Sequence, residues 1–135
     1  MHQATDDLIR RYYDAFNAQD MDAFLALLCD DVVHDINQGG SETGKDAFAA
    51  FMVRMNRCYR ERIADLCVLT EPTGTRAATE FTVLGTYLAT DEGLPAAAGQ
   101  TYRLPGGAFF TIRDGRIARV TNYYNLQDWL AQVRA

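Results

Sequence analysis

The N-terminal part of the chain repeats apolar residues with the period of a helix. From Thr5, whose side chain is suited to cap a helix, apolar residues recur every three or four positions over residues 5–18 and predict an amphipathic helix. Asp20 is placed to cap a short second helix that ends near residue 30. The same spacing returns over residues 45–56 and predicts a third helix.

The period then changes to the alternation that is typical of strands. The run DDVVHDINQGG (30–40) predicts a short strand that is stopped by Gly39 and Gly40. Longer strands are predicted from Tyr59 onward and over residues 75–90, 101–113 and 117–124. Helices that precede a run of long antiparallel strands indicate an α+β domain, with helices covering one face of a curved sheet.

Turn residues refine the boundaries of these strands. Pro105 predicts a bend in the third long strand, because proline is disfavoured in the middle of a paired central strand. Asp114 and Gly115 predict a tight hairpin. Asn125 is placed to cap a C-terminal helix.

Composition and charge narrow the class of protein. A length of 135 residues suits one domain, 1–135, with a core of its own. The net charge of −5, with scattered basic residues, argues against a nucleic-acid partner, and no apolar run reaches the ~20 residues of a membrane span. Cys29, Cys58 and Cys67 lack metal-site spacing and predict buried thiols in a reducing cytoplasm. With His34 and the terminal His2 as its two histidines, the chain is expected to hold no metal site. No Gly-rich phosphate loop is recognisable in the sequence, and we expect no cofactor.

Two stretches carry a resemblance to a known superfamily. AFNAQDMDAFLALLCDDVV (15–33) and FFTIRDGRIARVTNYYN (109–125), together with the order of elements, resemble the NTF2-like superfamily and its ketosteroid-isomerase-related, SnoaL-like branch. The resemblance implies a cystatin-like cone: a curved mixed or antiparallel sheet with the N-terminal helices on its concave face. It also implies a deep apolar pocket into which a few polar side chains project.

The resemblance transfers catalytic roles only in part. Tyr12, in the stretch RYYDAFNA, matches the oxyanion-hole tyrosine of ketosteroid isomerases. Their second donor, a neutral carboxylic acid, falls near Ala108, so that donor is absent here. Their catalytic aspartate falls at Ile36 when no gap is allowed and at Asp35 with one gap.

The stretch DDVVHDINQGG (30–40) offers two candidate bases. Side chains alternate faces along a strand, so His34 shares a face with Val32 and Ile36, whereas Asp35 points the other way. The apolar set favours the pocket side, which predicts His34 as a proton acceptor inside the pocket. The alternatives are a half-buried structural histidine, or a one-residue slip in register that would make Asp35 the base.

Three further polar residues are candidates for the pocket. Glu80 lies in a predicted strand, either as a buried acid or base or as a solvent-facing partner of Arg113 or Arg119, and the second interpretation is favoured. On the last strand, the resemblance directs Asn122 and Tyr124 toward the cavity, where both would stabilise an oxyanion.

Two hypotheses about function follow. The first is a cofactor-free enzyme of the isomerase, lyase or cyclase type that acts on a small apolar carbonyl compound; its catalytic candidates are His34, Asp35, Tyr12, Glu80, Asn122 and Tyr124. The second is a non-catalytic ligand-binding or dimerisation module. The resemblance also implies a homodimer formed through the outer sheet face, to which we assign Ile117 and Tyr123.

Overall fold

Residues 2–134, the part of the chain that the computed structural model describes, form four helices and six strands. The helices are α1 (His2–Ala18), α2 (Met21–Ala26), α3 (Lys45–Cys58) and α4 (Leu126–Val133). The strands are β1 (Leu28–Ile36), β2 (Ser41–Thr43), β3 (Tyr59–Thr70), β4 (Arg76–Tyr87), β5 (Thr101–Arg113) and β6 (Arg116–Tyr124). These elements confirm the predicted α+β class.

Two of the three predicted helix caps are confirmed. The side chain of Asp20 accepts a hydrogen bond of 3.1 Å from the backbone of α2, and that of Asn125 accepts one of 3.1 Å from the backbone of α4. Thr5 is wrong as a cap, because α1 begins at His2 and encloses it. The buried Thr5 hydroxyl instead donates to the carbonyl oxygen of Gly74 at 2.6 Å, which ties α1 to the β3–β4 turn.

Several predicted boundaries differ from the structure. The second helix ends at Ala26 rather than near residue 30, because the following residues already belong to β1. The short β2 was not predicted. The second long strand, β4, ends at Tyr87, since the next backbone amides bond to the carbonyl of Cys58 and leave the sheet.

The strands form one mixed sheet in the order β2-β1-β6-β5-β4-β3. Strand β1 is parallel to β6, and the other neighbours are antiparallel. Register shifts interrupt β1, β3 and the β5–β6 pair, and such bulges bend and twist a strand. Asp114 and Gly115 both have positive φ, 53° and 74°, which fits the predicted tight hairpin.

Pro105 is accommodated without a break in pairing. It lies opposite Thr82 of β4 in continuous register, whereas the pairing of β5 with β6 begins only at Gly106. At Pro105, β5 is therefore paired with β4 but not with β6. A residue without an N–H group is tolerated at such an edge position. The predicted single strand over residues 101–113 is confirmed, and the bend at Pro105 stays a prediction.

The two faces of the sheet have opposite character. We call the face covered by the helices the inner face; α1 lies on β3, α3 on β1 and β3, and α4 on β5. The core is built from inner-face side chains and the apolar sides of the helices. Ile117 was predicted on the outer face but is 0% exposed, because it lies opposite Leu28 beside the register shift. Cys67 was predicted to be buried but lies exposed on the outer face.

Within residues 2–134, no helix combines the length and the apolar character that a membrane crossing requires.

Candidate active site

His34 lies on the inner face, between the sheet and α3. Its side chain is 2% exposed. The imidazole stacks on the ring of Phe48 with 4.1 Å between centroids and 5° between planes, and the ring of Phe51 meets it edge-on at 4.7 Å. Two aromatic rings therefore fix the orientation of the imidazole.

The hydrogen bonds of His34 define which nitrogen carries the proton. Nδ1 lies 3.2 Å from Oε1 of Glu42, and Nε2 lies 3.3 Å from Nδ2 of Asn122. A carboxylate only accepts and an amide NH₂ only donates, so Nδ1 carries the hydrogen and Nε2 presents its lone pair. Burial lowers the pKa of His34, against the opposing effects of Glu42 and Asp35, and the neutral imidazole is favoured.

Asp35 points to the opposite face of β1. Its carboxylate accepts hydrogen bonds from the hydroxyl groups of Ser41 at 2.7 Å and Thr121 at 2.8 Å. These bonds lower the pKa of Asp35 and hold it as an anion. The register of β1 on β6 thus decides the choice left open by the sequence: His34 faces inward and Asp35 faces outward.

Tyr12 lies in the aromatic core, away from His34. Its ring contacts those of Tyr13, Phe24 and Phe110 at centroid distances of 5.0, 4.6 and 5.4 Å. Burial raises its pKa well above the ordinary value. The ring of Tyr12 contacts Phe24, the ring of Phe24 contacts Phe48, and Phe48 stacks on His34. Tyr12 and His34 are therefore connected only through these two phenylalanine rings, and the structure does not bring the two candidates together.

Glu80 does not lie inside the cone. It is exposed on the outer face of β4, opposite Gly107 of β5. The interpretation as a pocket acid is therefore wrong in its placement. Within residues 2–134 Glu80 also forms no ion pair with Arg113 or Arg119, which contact Asp31 and Asp35 instead.

Asn122 and Tyr124 both lie on the inner face of β6, as the resemblance implied. Asn122 is adjacent to Ala108 of β5, and its amide reaches His34. Tyr124 is partly buried, and its pKa is raised by burial, then by the negative charges of Glu61 and Asp91. Of the six candidates, the structure joins His34 and Asn122 by a hydrogen bond and places Tyr124 on the same face of β6 as Asn122.

Glu61 is an inward-facing carboxyl group that the sequence interpretation missed. The hydroxyl of Tyr102 donates to its Oε2 at 2.5 Å. Burial raises the pKa of Glu61, against the opposing effect of that bond. Alternation was the available signal, since Glu61 falls between the inward-facing Tyr59 and Ile63. Because Arg60 and Arg62 flank Glu61, the three residues form a charged run, and such a run is typical of a solvent-exposed face.

Asp91, in the loop after β4, is a second missed carboxylate. It is 5% exposed and accepts hydrogen bonds from Nε and Nη2 of Arg54, at 3.0 and 2.7 Å, and from the hydroxyl of Tyr59 at 2.7 Å. No periodic pattern identifies a loop residue of this kind. Within residues 2–134, no three His, Cys, Asp or Glu side chains are arranged to hold a metal ion.

A bent mixed sheet with polar groups on its helix-covered face is the architecture of the NTF2-like superfamily. The comparisons identify the branch: residues 9–120 match the SnoaL-like domain family, and the chain belongs to that family. Among curated proteins, no sequence matches the chain.

Solved structures support this assignment. A candidate polyketide cyclase from Pseudomonas putida KT2440 is 67% identical, with 96% of this chain and 97% of that chain covered and a TM-score of 0.94. A second candidate polyketide cyclase, from Xanthomonas campestris pv. campestris, is 57% identical, with 98% of both chains covered and a TM-score of 0.95. An LEH-like epoxide hydrolase of M. tuberculosis, 19% identical over 98% of this chain and 90% of that chain with a TM-score of 0.73, shares the fold.

Proposed function

We propose that this protein is a cofactor-free enzyme that moves a proton at a carbon atom next to a carbonyl group. The observation that carries the proposal is the pair of contacts of the buried His34 ring: Nδ1 lies 3.2 Å from Oε1 of Glu42, and Nε2 lies 3.3 Å from Nδ2 of Asn122 on the inner face, an arrangement that fits a proton on Nδ1 and a lone pair on Nε2. A neutral imidazole with a fixed orientation is a suitable general base near neutral pH.

The neighbours of His34 suit the charges that such a reaction creates. When Nε2 takes a proton from carbon, the imidazolium is stabilised by Glu42, whose Oε1 lies 3.2 Å from Nδ1. The amide of Asn122, released from Nε2, then donates to the enolate oxygen. Tyr124 lies on the same face of β6, and its hydroxyl group supplies a second donor.

The substrate class follows from the walls of the site and from the relatives. Phe48 and Phe51 give an aromatic wall beside the base, which suits a planar, apolar molecule. The similar proteins described as candidate polyketide cyclases suggest a substrate with several carbonyl groups. Because His34 is 2% exposed, such a substrate reaches Nε2 only when Asn122 and the partly buried side chains of α3 move aside.

Exchange of carbon-bound hydrogen in D₂O tests the proposal without knowledge of the natural substrate. The protein is incubated with a panel of aryl β-diketones, and loss of the α-proton signal is followed by NMR. Replacement of His34 by Gln should slow catalysed exchange by about 100-fold or more, because general base catalysis contributes effects of that order. Glu92→Gln, in the exposed loop after β4, is the matched control and should keep the wild-type rate.

Two results would contradict the proposal. One is exchange at an unchanged rate in the His34→Gln variant. The other is a wild-type protein that binds members of the panel but exchanges none of them, which would favour a ligand-binding module instead.

We also propose that two copies associate through the outer face of the sheet. Phe109 and Tyr123 are 48% and 44% exposed on that face, and their rings pair edge-to-face at 5.5 Å. Exposed aromatic residues of this kind are enriched in protein interfaces. Sedimentation at micromolar concentration should show a dimer that Phe109→Ser weakens; a monomer at all concentrations would contradict the proposal.

A further inference from the structure

On the side of the sheet opposite the imidazole, the outer face carries a chain of hydrogen bonds that crosses four strands. Nε of Arg119 on β6 donates to the hydroxyl of Thr111 on β5 at 3.1 Å, and Nη1 of the same guanidinium donates to the hydroxyl of Thr121. Thr121 donates to Oδ2 of Asp35 on β1 at 2.8 Å. Ser41 on β2 donates to Oδ1 of the same carboxylate at 2.7 Å. The chain therefore joins the short edge strand β2 to the interior of the sheet.

The chemistry of these groups fixes the direction of the chain. A guanidinium only donates and a carboxylate only accepts, whereas a hydroxyl does both. Because Arg119 donates to the oxygen of Thr121, the hydroxyl proton of Thr121 is left for Asp35. The guanidinium of Arg119 also lies 4.0 Å from Oδ2 of Asp35, which favours the charged carboxylate. Asp35 is therefore held from the side of β6 and offers its second oxygen to Ser41.

The register of β1 and β2 puts this chain beside the candidate base. Asp35 is paired with Ser41, and the next pair along the two strands is His34 with Glu42. Side chains alternate faces, so the Asp35–Ser41 bond lies on the outer face and the His34–Glu42 contact lies on the inner face of the same pair of strands. A displacement of Ser41 along β1 therefore carries the carboxylate of Glu42 with it.

The strand that carries Glu42 is a small element. β2 is three residues long, lies at the edge of the sheet and, in the part of the chain that the structure describes, pairs with β1 alone. Ser41 and Thr43 are exposed, and two glycines precede the strand. A ribbon of two strands is only marginally stable through its own pairing. The side-chain bond between Ser41 and Asp35 thus adds a constraint that three residues of backbone pairing supply weakly.

We propose that Asp35 and Ser41 are positioning residues that hold Glu42 against Nδ1 of His34 and so keep the imidazole proton on that nitrogen. The inference rests on the proposed function, which requires Nε2 to present its lone pair. When Glu42 moves away from Nδ1, the proton transfers to Nε2 in part of the population, and that form does not accept a proton from carbon. Asp35 itself does not touch a substrate bound at the imidazole, because it points to the opposite face of β1.

The tautomer of His34 tests this inference without a substrate. ¹⁵N-edited NMR at pH 7 should show the Nδ1–H form in the wild type. Ser41→Ala should reduce the population of that form, with an Nε2–H signal in its place. Asp35→Ala, which removes the acceptor of Ser41 and Thr121, should reduce it at least as much. Glu42→Ala removes the partner of Nδ1 outright and sets the largest loss.

Two variants of β2 separate the bond to Asp35 from a general effect on the strand. Ser41→Thr keeps a hydroxyl group at this position and should restore the wild-type spectrum. Thr43→Val removes an exposed hydroxyl from the same face of the same strand and is the matched control. It should leave the spectrum of His34 unchanged.

Exchange of α-protons in D₂O, with the panel of aryl β-diketones, supplies the kinetic measurement. Ser41→Ala should slow exchange by about 10-fold, because a displaced partner misorients the base without removing it. This effect is smaller than that of His34→Gln, in which the base itself is lost. Ser41→Thr and Thr43→Val should both exchange at the wild-type rate.

An unchanged Nδ1–H population in Ser41→Ala would overturn the inference and leave the His34 proposal intact. Equal losses in Ser41→Ala and Thr43→Val would also overturn it, because the effect would then belong to β2 as a whole. A wild-type protein that binds the panel and exchanges none of it defeats the proposed function. In that case the spectra of the same variants still decide whether Asp35 and Ser41 position Glu42.

Discussion

Asp91 and Glu61 are both inward carboxyl groups bonded to a tyrosine, but their surroundings differ. Asp91 accepts three hydrogen bonds, two of them from the guanidinium of Arg54, and both of its oxygens are used. The bond to Asp91 raises the pKa of Arg54, so the cation persists. Among the residues that the structure describes, 2–134, Glu61 has one phenolic partner and no cation.

The difference distinguishes Asp91, a structural carboxylate with hydrogen bonds to both oxygens, from Glu61, which keeps one oxygen free for another partner. A buried charge with all its bonds satisfied fixes the chain around it. Here Asp91 holds the loop after β4 against α3 and β3, and its own backbone N–H donates to the hydroxyl of Tyr87 at 2.9 Å. Glu61 ties no loop and retains an unused oxygen.

The largest expected effect on stability is at Asp91. Replacement by Ala removes the acceptor of Arg54 and Tyr59 and should lower the free energy of unfolding by about 2–3 kcal/mol, below the full cost of breaking a buried pair because half-exposed Arg54 regains water. Urea unfolding at pH 7 measures the loss. A change below about 0.5 kcal/mol would mean that Asp91 is not the structural anchor inferred from its bonds.

A smaller effect on stability is expected at Glu61. Glu61→Gln keeps an acceptor for the Tyr102 hydroxyl, so the free energy of unfolding at pH 5 should change by less than about 1 kcal/mol. Since folding raises the pKa of Glu61, its carboxyl group stabilises the fold most below the unfolded pKa, and this contribution is lost as pH rises through the folded value. The variant should therefore gain stability relative to wild type between pH 5 and pH 8. A constant or falling difference would contradict the raised pKa.

The sequence was sufficient to predict the fold class and the orientation of β1. Strict alternation around His34 directed it inward and Asp35 outward, because one face of that strand is apolar. On β6, alternation put Asn122 and Tyr124 on one face, and the family resemblance directed that face inward, where the structure places it. Such positions are predictable because burial of a whole face determines them.

The remainder of the site depends on contacts between distant strands. Glu61 and Tyr102 are 41 residues apart, and only the register of three strands shows that they meet across Gly85. Tyr12 matched a catalytic position in sequence, yet its surroundings are set by rings from α2 and β5. Local patterns contain no information about either arrangement.

The protonation state of His34 decides whether this residue is suited to act as a general base. The chain has two histidines, so ¹⁵N-edited NMR of the imidazole rings, with His34→Gln to assign the signals, follows each one through a pH titration. We expect a neutral ring at pH 7 with the proton on Nδ1 and a pKa below the ordinary value of about 6.5. A charged ring at pH 7, or a neutral ring with its proton on Nε2, would contradict this expectation.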